Sequence, residues 1–324
     1  MADGLAQAQR VYLHAVTYLA RDTHAYEFRG VNGRTLAPFT AGSHVDLMLP
    51  NGVRRSYSLC NPEGQTHRYV VGVKKATPSR GASAYLHERL RVGEAIEVGL
   101  PRNNFALVEI APHSVLIAGG IGITPIWCML QRLVVIGASW ELHYASRTQA
   151  DAAFLSDLAS LAADPSRLRL HFDHEPGGVM LDLPAIVGAV PPDAHFYACG
   201  PAPMLDAYEQ ATASLPRAQV HLERFTGAGD PARAGAAGFD ILLARSNRRL
   251  HVPQGKSILD VLLDEGVDIA FSCMEGVCGS CKVGVLDGLP DHRDLVLGAD
   301  DHAANTAMMV CCSGALTDRL VLDL

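Results

Sequence analysis

Hydrophobic and polar positions follow two different patterns along the chain, and the change between them falls near residue 110. Before this point, short runs such as residues 43–49 and 69–74 alternate apolar with polar side chains and are separated by turn signals. A period of two with frequent turns is typical of antiparallel strands and predicts an antiparallel β-barrel. After residue 110, short apolar runs alternate with longer helical patterns, which predicts an α/β domain with a parallel sheet.

The second pattern divides into individual strands and helices. The predicted strands are residues 115–119, 141–145, 168–172 and 195–199, and the predicted helices include 124–136 and 204–215. A segment rich in glycine, alanine and proline follows, and it predicts a linker over residues 227–238. A chain of 324 residues is too long for one core. We therefore predict a barrel over 1–110, an α/β domain over 111–226 and a small α+β module over 239–324.

Negative charge is concentrated in the C-terminal module. From Ala236 to the end there are 13 acidic and 7 basic residues, a net charge of −6 out of −7 for the whole chain. The simplest interpretation is a solvated acidic surface, and a second is steering of this module toward a basic patch on a partner. The sign of the charge argues against a nucleic-acid partner.

We expect neither an export signal nor a membrane span. The first 16 residues have no long apolar core, and the most apolar stretch, residues 115–130, carries three glycines and a proline. The cysteines outside the C-terminal motif are scattered, so we expect no disulfides and a cytoplasmic chain with no membrane partner. These scattered cysteines are Cys60, Cys128, Cys199 and Cys312.

Four cysteines in the C-terminal module have the spacing Cys-x4-Cys-x2-Cys…Cys, which is typical of a plant-type [2Fe-2S] cluster. They are Cys273, Cys278, Cys281 and Cys311. Gly276 and Gly279 lie among the first three, where they permit tight turns and let backbone N–H groups point at sulfide. Cys312 follows the fourth ligand directly. Because neighbouring strand residues face opposite sides, we expect only one of the two to reach the cluster.

A structural zinc site is the main alternative interpretation of these cysteines. Such sites usually combine two short Cys-x2-Cys pairs, whereas this chain has only one, so the spacing favours the iron–sulfur cluster. Because the cluster takes one electron at a time, we expect the rest of the chain to supply the electrons.

A glycine-rich loop over residues 119–125 follows an apolar strand and begins a helix with Pro125 in its first turn. This arrangement leaves backbone N–H groups and the positive helix end available to a phosphate. Residues 199–201, Cys-Gly-Pro, end a later strand and also begin a helix, which should lie at the same edge of the sheet. Two such loops fit a pyridine dinucleotide, although the usual Gly-x-Gly-x-x-Gly fingerprint is missing.

Residues 55–59 of the predicted barrel, Arg-Ser-Tyr-Ser-Leu, offer a cation, a flat ring and two hydroxyls within one strand. A planar redox cofactor needs these groups for stacking and hydrogen bonding, but an ordinary strand with one exposed arginine also fits the pattern. Residues 79–83 precede a helical stretch over 84–90, and Arg80 beside that helix start would suit a phosphate.

Five segments, in this order, resemble the phthalate dioxygenase reductase family within the ferredoxin-NADP reductase superfamily. They are residues 55–58, 119–125, 199–201, 223–225 and the cysteine motif. The resemblance covers nearly the whole chain, and it is specific because other members of the superfamily place the ferredoxin first or lack it. It implies an FMN-binding barrel, an NAD-binding α/β domain and a ferredoxin-like [2Fe-2S] domain. It also implies an oxygenase partner of the Rieske type, which receives the electrons.

The resemblance further implies roles for individual residues. The residues that would hold or line the flavin ring are Arg55, Ser56, Tyr57, Ser58, Gly72, Val73 and Lys74, and those for its phosphate are Arg80, Gly81, Ala82 and Ser83. The residues for the nucleotide are Gly119, Gly120, Gly122, Ile123, Thr124, Cys199, Gly200 and Pro201. The residues expected at the site of hydride transfer, where position matters more than nucleophilicity, are Ser58, Thr124, Cys199, Glu223 and Phe225.

Two positions complicate this picture. The usual Ser-Arg-Ala of the family after the last cluster cysteine is Ser-Gly-Ala here, with Gly314 in place of the arginine. Ser146 and Arg147 follow the second predicted parallel strand, and the guanidinium would suit the 2′-phosphate of NADPH. We nevertheless expect NADH as the electron donor.

We expect a hydride to pass from nicotinamide to flavin and single electrons to continue through the cluster to the oxygenase. The flavin is needed because a hydride carries two electrons, whereas the cluster accepts one at a time. Two other functions remain open at this point: a stand-alone diaphorase with broad acceptors, and a non-enzymatic binding module stabilised by zinc. We expect a monomer, because the tethered module needs freedom to dock.

Overall fold

The computed structural model describes residues 8–77, 81–161, 164–225, 238–271, 276–277 and 279–324. Two compact units divide the chain, one formed by Ala8–Phe225 and the other lying after Phe225. The predictions for Arg80, Cys273 and Cys278 fall outside the described residues.

The first part of the Ala8–Phe225 unit is a curled antiparallel sheet of six strands. These are β1 (Gln9–Ala20), β2 (Thr23–Gly30), β3 (His44–Met48), β4 (Arg54–Ser58), β5 (Tyr69–Lys74) and β6 (Ala95–Val98), with α1 (Ala82–Glu88) between β5 and β6. The strand order is β4-β3-β6-β1-β2-β5, and a bridge between Leu59 and Val71 draws the two ends together. The antiparallel barrel predicted from the alternating runs is therefore confirmed, and the predicted helix begins two residues earlier than expected.

Both faces of β3 are buried, for different reasons. Val45 and Leu47 point into the apolar core, where they are fully buried. Asp46 alternates with them and is only 1 % exposed, but its carboxylate accepts hydrogen bonds from Arg54 and Arg102 at 2.6 and 2.8 Å. A buried carboxylate is tolerated when it is paired in this way, so the alternation of β3 separates an apolar face from a charged one.

The second part of the same unit is a parallel sheet with helices between its strands. The elements are β7 (Ser114–Gly119), α2 (Ile123–Val135), β8 (Trp140–Ser146), α3 (Leu155–Leu161), β9 (Leu168–Phe172), α4 (Leu183–Gly188), β10 (His195–Cys199), α5 (Ala202–Thr212) and β11 (Val220–Glu223). The strand order is β11-β10-β7-β8-β9. The chain runs in one direction from β7 to β9 and then returns to the other side of β7, so a topological switch point lies between β7 and β10.

The four predicted parallel strands are confirmed to within one residue at each end, whereas β11 was not predicted. The barrel and the parallel sheet share one apolar core. Two polar contacts also join them: Gln131 donates to the carbonyl of Cys60 at 2.8 Å, and the Val108 N–H donates to the buried hydroxyl of Tyr197 at 2.9 Å.

The unit after Phe225 is built on a mixed sheet with a short helix packed on it. Its elements are β12 (Phe239–Leu243), β13 (Arg248–Val252), α6 (Ile258–Asp264), β14 (Lys282–Asp287), β15 (Pro290–Asp291), α7 (Ala299–Ala304), β16 (Ala307–Met309), β17 (Gly314–Ala315) and β18 (Arg319–Leu322). The main sheet has the order β13-β12-β18-β14-β16, and β15 pairs with β17. Ser257 and Asp260 form a capping box at the start of α6, whose apolar residues enter the core of this unit.

Among the described helices, none combines the length and the apolar character that crossing a bilayer requires.

Candidate functional site

Two glycine loops touch at the switch point of the parallel sheet. The end of β7 and the end of β10 are neighbours, with Ala118 opposite Cys199. A Cβ atom at Gly122 would lie 2.1 Å from the carbonyl oxygen of Cys199, and one at Gly200 would lie 3.0 Å from the Cα of Gly119. Only glycine permits this approach, because any side chain would collide with backbone atoms. The structure thus brings together the two loops for which the sequence predicts a nucleotide.

Two helix N-termini face this edge of the sheet. Helix α2 begins at Ile123, directly after Gly122, and no side chain caps it; helix α5 begins after Pro201 and also has no side-chain cap. The first N–H groups of a helix have no partner within the helix, so these termini can bind an anion. Tyr144, below the first loop, donates its hydroxyl to the carbonyl of Gly120 at 3.2 Å and supports the turn.

The start of α2 also lies against the barrel. A Cβ atom at Gly72 on β5 would lie 2.6 Å from the methyl carbon of Thr124. Thr124 is 2 % exposed, and its hydroxyl donates to the carbonyl of Ile121 at 3.0 Å. Gly72 therefore allows the nucleotide loop and the barrel strand to meet, which explains why a glycine interrupts an otherwise apolar strand.

A carboxyl group from β11 completes the junction. Glu223 lies opposite Cys199 on the neighbouring strand, and the hydroxyl of Ser58 donates to its Oε2 at 3.2 Å. The Nδ1 of His44 is 4.0 Å from the other carboxyl oxygen. Burial raises the pKa of Glu223 to about 7, while the Ser58 hydrogen bond opposes this rise. At neutral pH the group is close to half protonated, so it can hold or release a proton.

The thiol of Cys199 behaves differently from this carboxyl group. Its side chain is fully buried, and burial and the neighbouring Glu223 raise the pKa of the thiol well above its usual value. A neutral, buried thiol is a poor nucleophile, so the side chain acts here by its size and position. Phe225, two residues after Glu223, packs half-buried against the same core.

The predicted flavin strand β4 presents alternating groups. The hydroxyl of Ser56 donates to Asp46 at 2.7 Å, so Ser56 belongs to the charged face of β3 and β4. Tyr57 is half-buried, and burial raises the pKa of its hydroxyl to about 12, which keeps the ring neutral. Arg55 donates to the carbonyl of Arg54 at 2.9 Å. The sequence patterns did not reveal the pairing of Asp46 with arginines, because its partners come from two other strands and loops.

Several other predicted residues lie around the barrel and the end of β8. Gly81 has a φ of +105° directly before α1, and the hydroxyl of Ser83 accepts a hydrogen bond from the N–H of Ala76 at 3.2 Å. On β5, Val73 is buried and Lys74 is exposed, and Ala82 is buried on α1. At the end of β8 the hydroxyl of Ser146 donates to the carbonyl of Thr148 at 2.7 Å, and Arg147 is exposed.

Two of the four predicted cluster cysteines are described, and they lie close together in the fold. Cys281 directly precedes β14 and Cys311 follows β16, and these two strands pair with each other. Both side chains are buried, at 3 and 2 % exposed. Gly276 and Gly279 have φ values of +71° and +73°, the left-handed conformation that the predicted ligand loop needs. Thiol donors in this arrangement fit an iron–sulfur cluster.

Two further positions near this loop, Cys312 and Gly314, have defined surroundings. Cys312 is half-buried, and its thiol donates to the carbonyl of Met309 at 3.7 Å. At Gly314, a Cβ atom would lie 3.3 Å from Nη2 of Arg293. A guanidinium is therefore present beside this position, although it comes from a different part of the chain.

Comparison with known proteins gives two family matches. Residues 116–210 match the oxidoreductase NAD-binding domain, and residues 241–316 match the 2Fe-2S iron-sulfur cluster binding domain. The cluster-binding match includes all four predicted cysteines. The chain is therefore an oxidoreductase with a pyridine-nucleotide domain and a [2Fe-2S] domain.

Similar proteins cover nearly the whole chain. A protein of Ectopseudomonas oleovorans named phenoxybenzoate dioxygenase subunit beta is 51 % identical over 96 % of this chain and 96 % of its own. The tetrachlorobenzoquinone reductase of Sphingobium chlorophenolicum is 49 % identical over 95 and 96 %. A solved structure of phthalate dioxygenase reductase, described as transferring electrons from pyridine nucleotides to [2Fe-2S], is 37 % identical. The structural match to it covers 98 % of each of the two chains and has a TM-score of 0.78.

Proposed function

The chain belongs to the phthalate dioxygenase reductase family, and we propose that it is the NADH-dependent reductase component of a two-component oxygenase. In this proposal electrons enter from NADH, pass through FMN and the [2Fe-2S] cluster, and leave to a Rieske-type oxygenase. The names of several relatives support an oxygenase partner, since they are reductases of dioxygenase or monooxygenase systems.

One observation carries this proposal. The contact of the two glycine loops at the switch point lies next to the barrel strand that carries Ser58, and Glu223 bridges from the sheet to that strand. A nucleotide on the loops and a planar cofactor on the barrel would therefore meet at one junction. Binding both in fixed positions is what hydride transfer requires from the protein.

The residues at this junction fit FMN. The fit is supported by the chemistry of the groups present, a neutral aromatic ring at Tyr57, the hydroxyl of Ser58 and the guanidinium of Arg55. When bound, FMN supplies the conversion between a two-electron hydride and the single electrons that a [2Fe-2S] cluster takes. We propose that Tyr57 stacks on the ring, that Ser58 hydrogen-bonds to its edge and that Gly81, Ala82 and Ser83 contribute to the phosphate site.

The side chains of the junction then act by holding the nicotinamide in position and by covering the flavin ring. We propose that Thr124 and Cys199 border the nicotinamide and that Phe225 covers the ring face until the nucleotide enters. Burial, which raises the pKa of Glu223 to about 7, favours a proton on its carboxyl group, and the hydrogen bond from Ser58 favours its release, so the group can exchange a proton near neutral pH. None of these groups has to act as a nucleophile.

We propose NADH rather than NADPH as the donor. The hydroxyl of Ser146 already donates to the carbonyl of Thr148. Of these two residues, the exposed Arg147 is therefore the one that could contact a 2′-phosphate. A single exposed arginine gives a weak preference for the phosphate. Steady-state kinetics with both nucleotides test this, and a kcat/KM for NADPH above that for NADH contradicts it.

A second function is favoured by one relative. The tetrachlorobenzoquinone reductase is 49 % identical to this chain, and its name describes a reductase that acts on a quinone. A quinone takes its electrons without an oxygenase, so this function corresponds to a reductase with a small-molecule acceptor.

One experiment separates the two functions. The protein is purified anaerobically and analysed for iron, acid-labile sulfide and FMN, and NADH oxidation is then followed with a quinone and with purified Rieske-type oxygenase components. We expect iron, sulfide and flavin together, and substrate-dependent oxygen uptake only when the oxygenase is present. Fast quinone reduction without coupling to any oxygenase supports the second function, and protein without flavin and iron contradicts both.

Size-exclusion chromatography with light scattering tests our proposal of a monomer.

A further inference from the structure

A second group of metal-binding side chains lies in the unit after Phe225. His292, Asp294 and His302 each offer one possible ligand atom, and the three atoms lie within 4.8 Å of one another. None of the three belongs to the cysteine motif or to the junction of the barrel and the parallel sheet.

The carboxylate at the centre of this group is fixed by the backbone. The side chain of Asp294 is fully buried, and its Oδ2 accepts hydrogen bonds from the N–H groups of Val296 and Leu297 at 3.1 and 2.7 Å. Its Oδ1 forms a hydrogen bond with Nε2 of His302 at 3.3 Å and lies 3.8 Å from Nδ1 of His292. One oxygen is thus oriented by the protein, and the other points at both histidines.

His292 has the environment of a metal ligand. Its side chain is 9 % exposed, and its Nε2 is 3.2 Å from Oδ1 of Asn305. The amide nitrogen of Asn305 donates to the carbonyl of Ala303, which assigns Oδ1 as the atom that faces the ring. His292 therefore donates from Nε2, which in the neutral ring leaves a lone pair on Nδ1. A ligating histidine usually donates its other N–H to a carbonyl oxygen in this way.

The Nδ1 atom of His292 has no hydrogen-bond partner among the described residues. It is buried and lies 3.8 Å from a carboxylate oxygen, so in the neutral ring two electron-rich atoms face each other. Such a contact is unfavourable unless a cation, either a proton or a metal ion, lies between the atoms.

We propose that His292, Asp294 and His302 bind one divalent transition-metal ion such as Zn²⁺. Two imidazole nitrogens and one carboxylate oxygen are ligands that Zn²⁺ and its neighbours in the series prefer. Bonds of about 2.0–2.1 Å in a tetrahedral site place ligand atoms about 3.3 Å apart, so small side-chain rotations bring the three atoms into range. His302 is 31 % exposed, which provides an entry path and room for a water as the fourth ligand.

This ion would stabilise the segment that contacts the predicted cluster loop. The N–H of Leu295 donates to the carbonyl of Gly276 at 2.9 Å, and a Cβ atom at Gly276 would lie 3.1 Å from the Cα of Asp294. Linking Asp294 to His302 on α7 therefore holds the backbone that packs on Gly276. Because the ion binds only the folded arrangement, it should raise the unfolding temperature of this unit.

The test uses the full chain, dialysed against EDTA and titrated with ZnCl₂ by calorimetry, with zinc per chain measured after desalting. We expect one zinc per chain in the wild type. His292→Ala and His302→Ala should weaken binding by more than about a hundredfold, because replacing even an outer partner costs roughly 10- to 100-fold. Asn305→Gly, which keeps the left-handed backbone, should weaken it about tenfold.

A matched control is available in the same unit. His251 pairs with Asp240 at 2.9 Å on the surface, and no third metal-binding side chain joins this pair among the described residues, so His251→Ala should leave zinc binding unchanged. The proposal is overturned if the wild type retains no zinc, as expected for a purely hydrogen-bonded cluster, or if both ligand variants retain as much as the wild type. His302 lies on the surface helix α7, so His302→Ala decides the question even if His292→Ala fails to fold.

Discussion

The Ala8–Phe225 unit and the unit after it assemble their reactive groups over very different distances in sequence. Ser58 and Glu223 meet although 165 positions separate them, and their meeting depends on the packing of the barrel against the parallel sheet. Cys281 and Cys311 lie at the ends of two paired strands within one small unit. The first site is therefore sensitive to small shifts of the backbone, whereas the second depends on whether each ligand is present.

The largest expected effect tests the second part of this comparison. Cys281→Ser and Cys311→Ser should each abolish the cluster and all transfer to one-electron acceptors that depend on it, because each removes a predicted thiolate ligand. Reduction of the proposed FMN by NADH should continue. Iron analysis, visible absorption and electron paramagnetic resonance measure the loss. Cys128→Ser is the control, since this buried thiol lies in the other unit, and a variant of Cys311 with a normal cluster would contradict our assignment.

The next effect tests the dependence of the first site on backbone contact. Gly122→Ala places a Cβ atom 2.1 Å from the carbonyl oxygen of Cys199, so the loops must separate. We expect a loss of about 3 kcal/mol or more in stability and at least about a tenfold rise in KM for NADH. Thermal unfolding and steady-state kinetics measure both. Gly188→Ala, where a Cβ atom meets open space, should be neutral or slightly stabilising.

A pH series sharpens the same comparison. Burial raises the pKa of Glu223 from its usual 4.5 to about 7, so the folded state binds this proton more tightly than the unfolded state does. The free energy of unfolding should therefore fall as the pH rises from about 4.5 to 7, by at most about 3.5 kcal/mol at about 1.4 kcal/mol per pKa unit.

The Glu223→Gln variant should lose this part of the pH dependence, which denaturant unfolding at several pH values will show. Glu97→Gln, an exposed carboxylate on β6, should keep the slope of the wild type. Ser58→Ala removes a hydrogen bond that lowers the pKa of Glu223, so the slope should extend to higher pH. Equal slopes for the wild type and Glu223→Gln would show that the carboxyl group is not perturbed by burial.

The smallest effect concerns the edge of the nucleotide site. Arg147→Ala should lower kcat/KM for NADPH by at most about fivefold and change that for NADH less than about twofold, because the exposed guanidinium would contact only the 2′-phosphate. Kinetics with both nucleotides measure the ratio. An equal loss for both would mean that Arg147 binds a part that the two nucleotides share.

Most of the fold could be predicted from the sequence because its signals are local. Alternation gave β3 and β5, apolar runs gave the parallel strands, and the glycine loop gave the start of α2. Strand β11 was missed because it is short and half-buried on the edge of the sheet, with no apolar run to mark it. The cysteine spacing was informative for the same local reason.

The contacts that define the site chemistry could not be predicted in this way. The pairing of Asp46 with Arg54 and Arg102 depends on which strands are neighbours, which no periodicity reports. The raised pKa of Glu223 depends on burial at the junction of the barrel and the sheet. The resemblance to a known family placed Glu223 near the site, but only the structure shows its bond to Ser58. The group of His292, Asp294 and His302 also needs α7 to turn back toward β15.

The hydroxyl of Tyr197, buried in the parallel sheet, holds the N–H of Val108 in the segment that leads out of the barrel. Together with the shared apolar core, this bond couples the barrel to the parallel sheet, so we expect the two parts to lose their structure together. Calorimetry should therefore record one cooperative melting transition for the whole of Ala8–Phe225, in which barrel and sheet denature together.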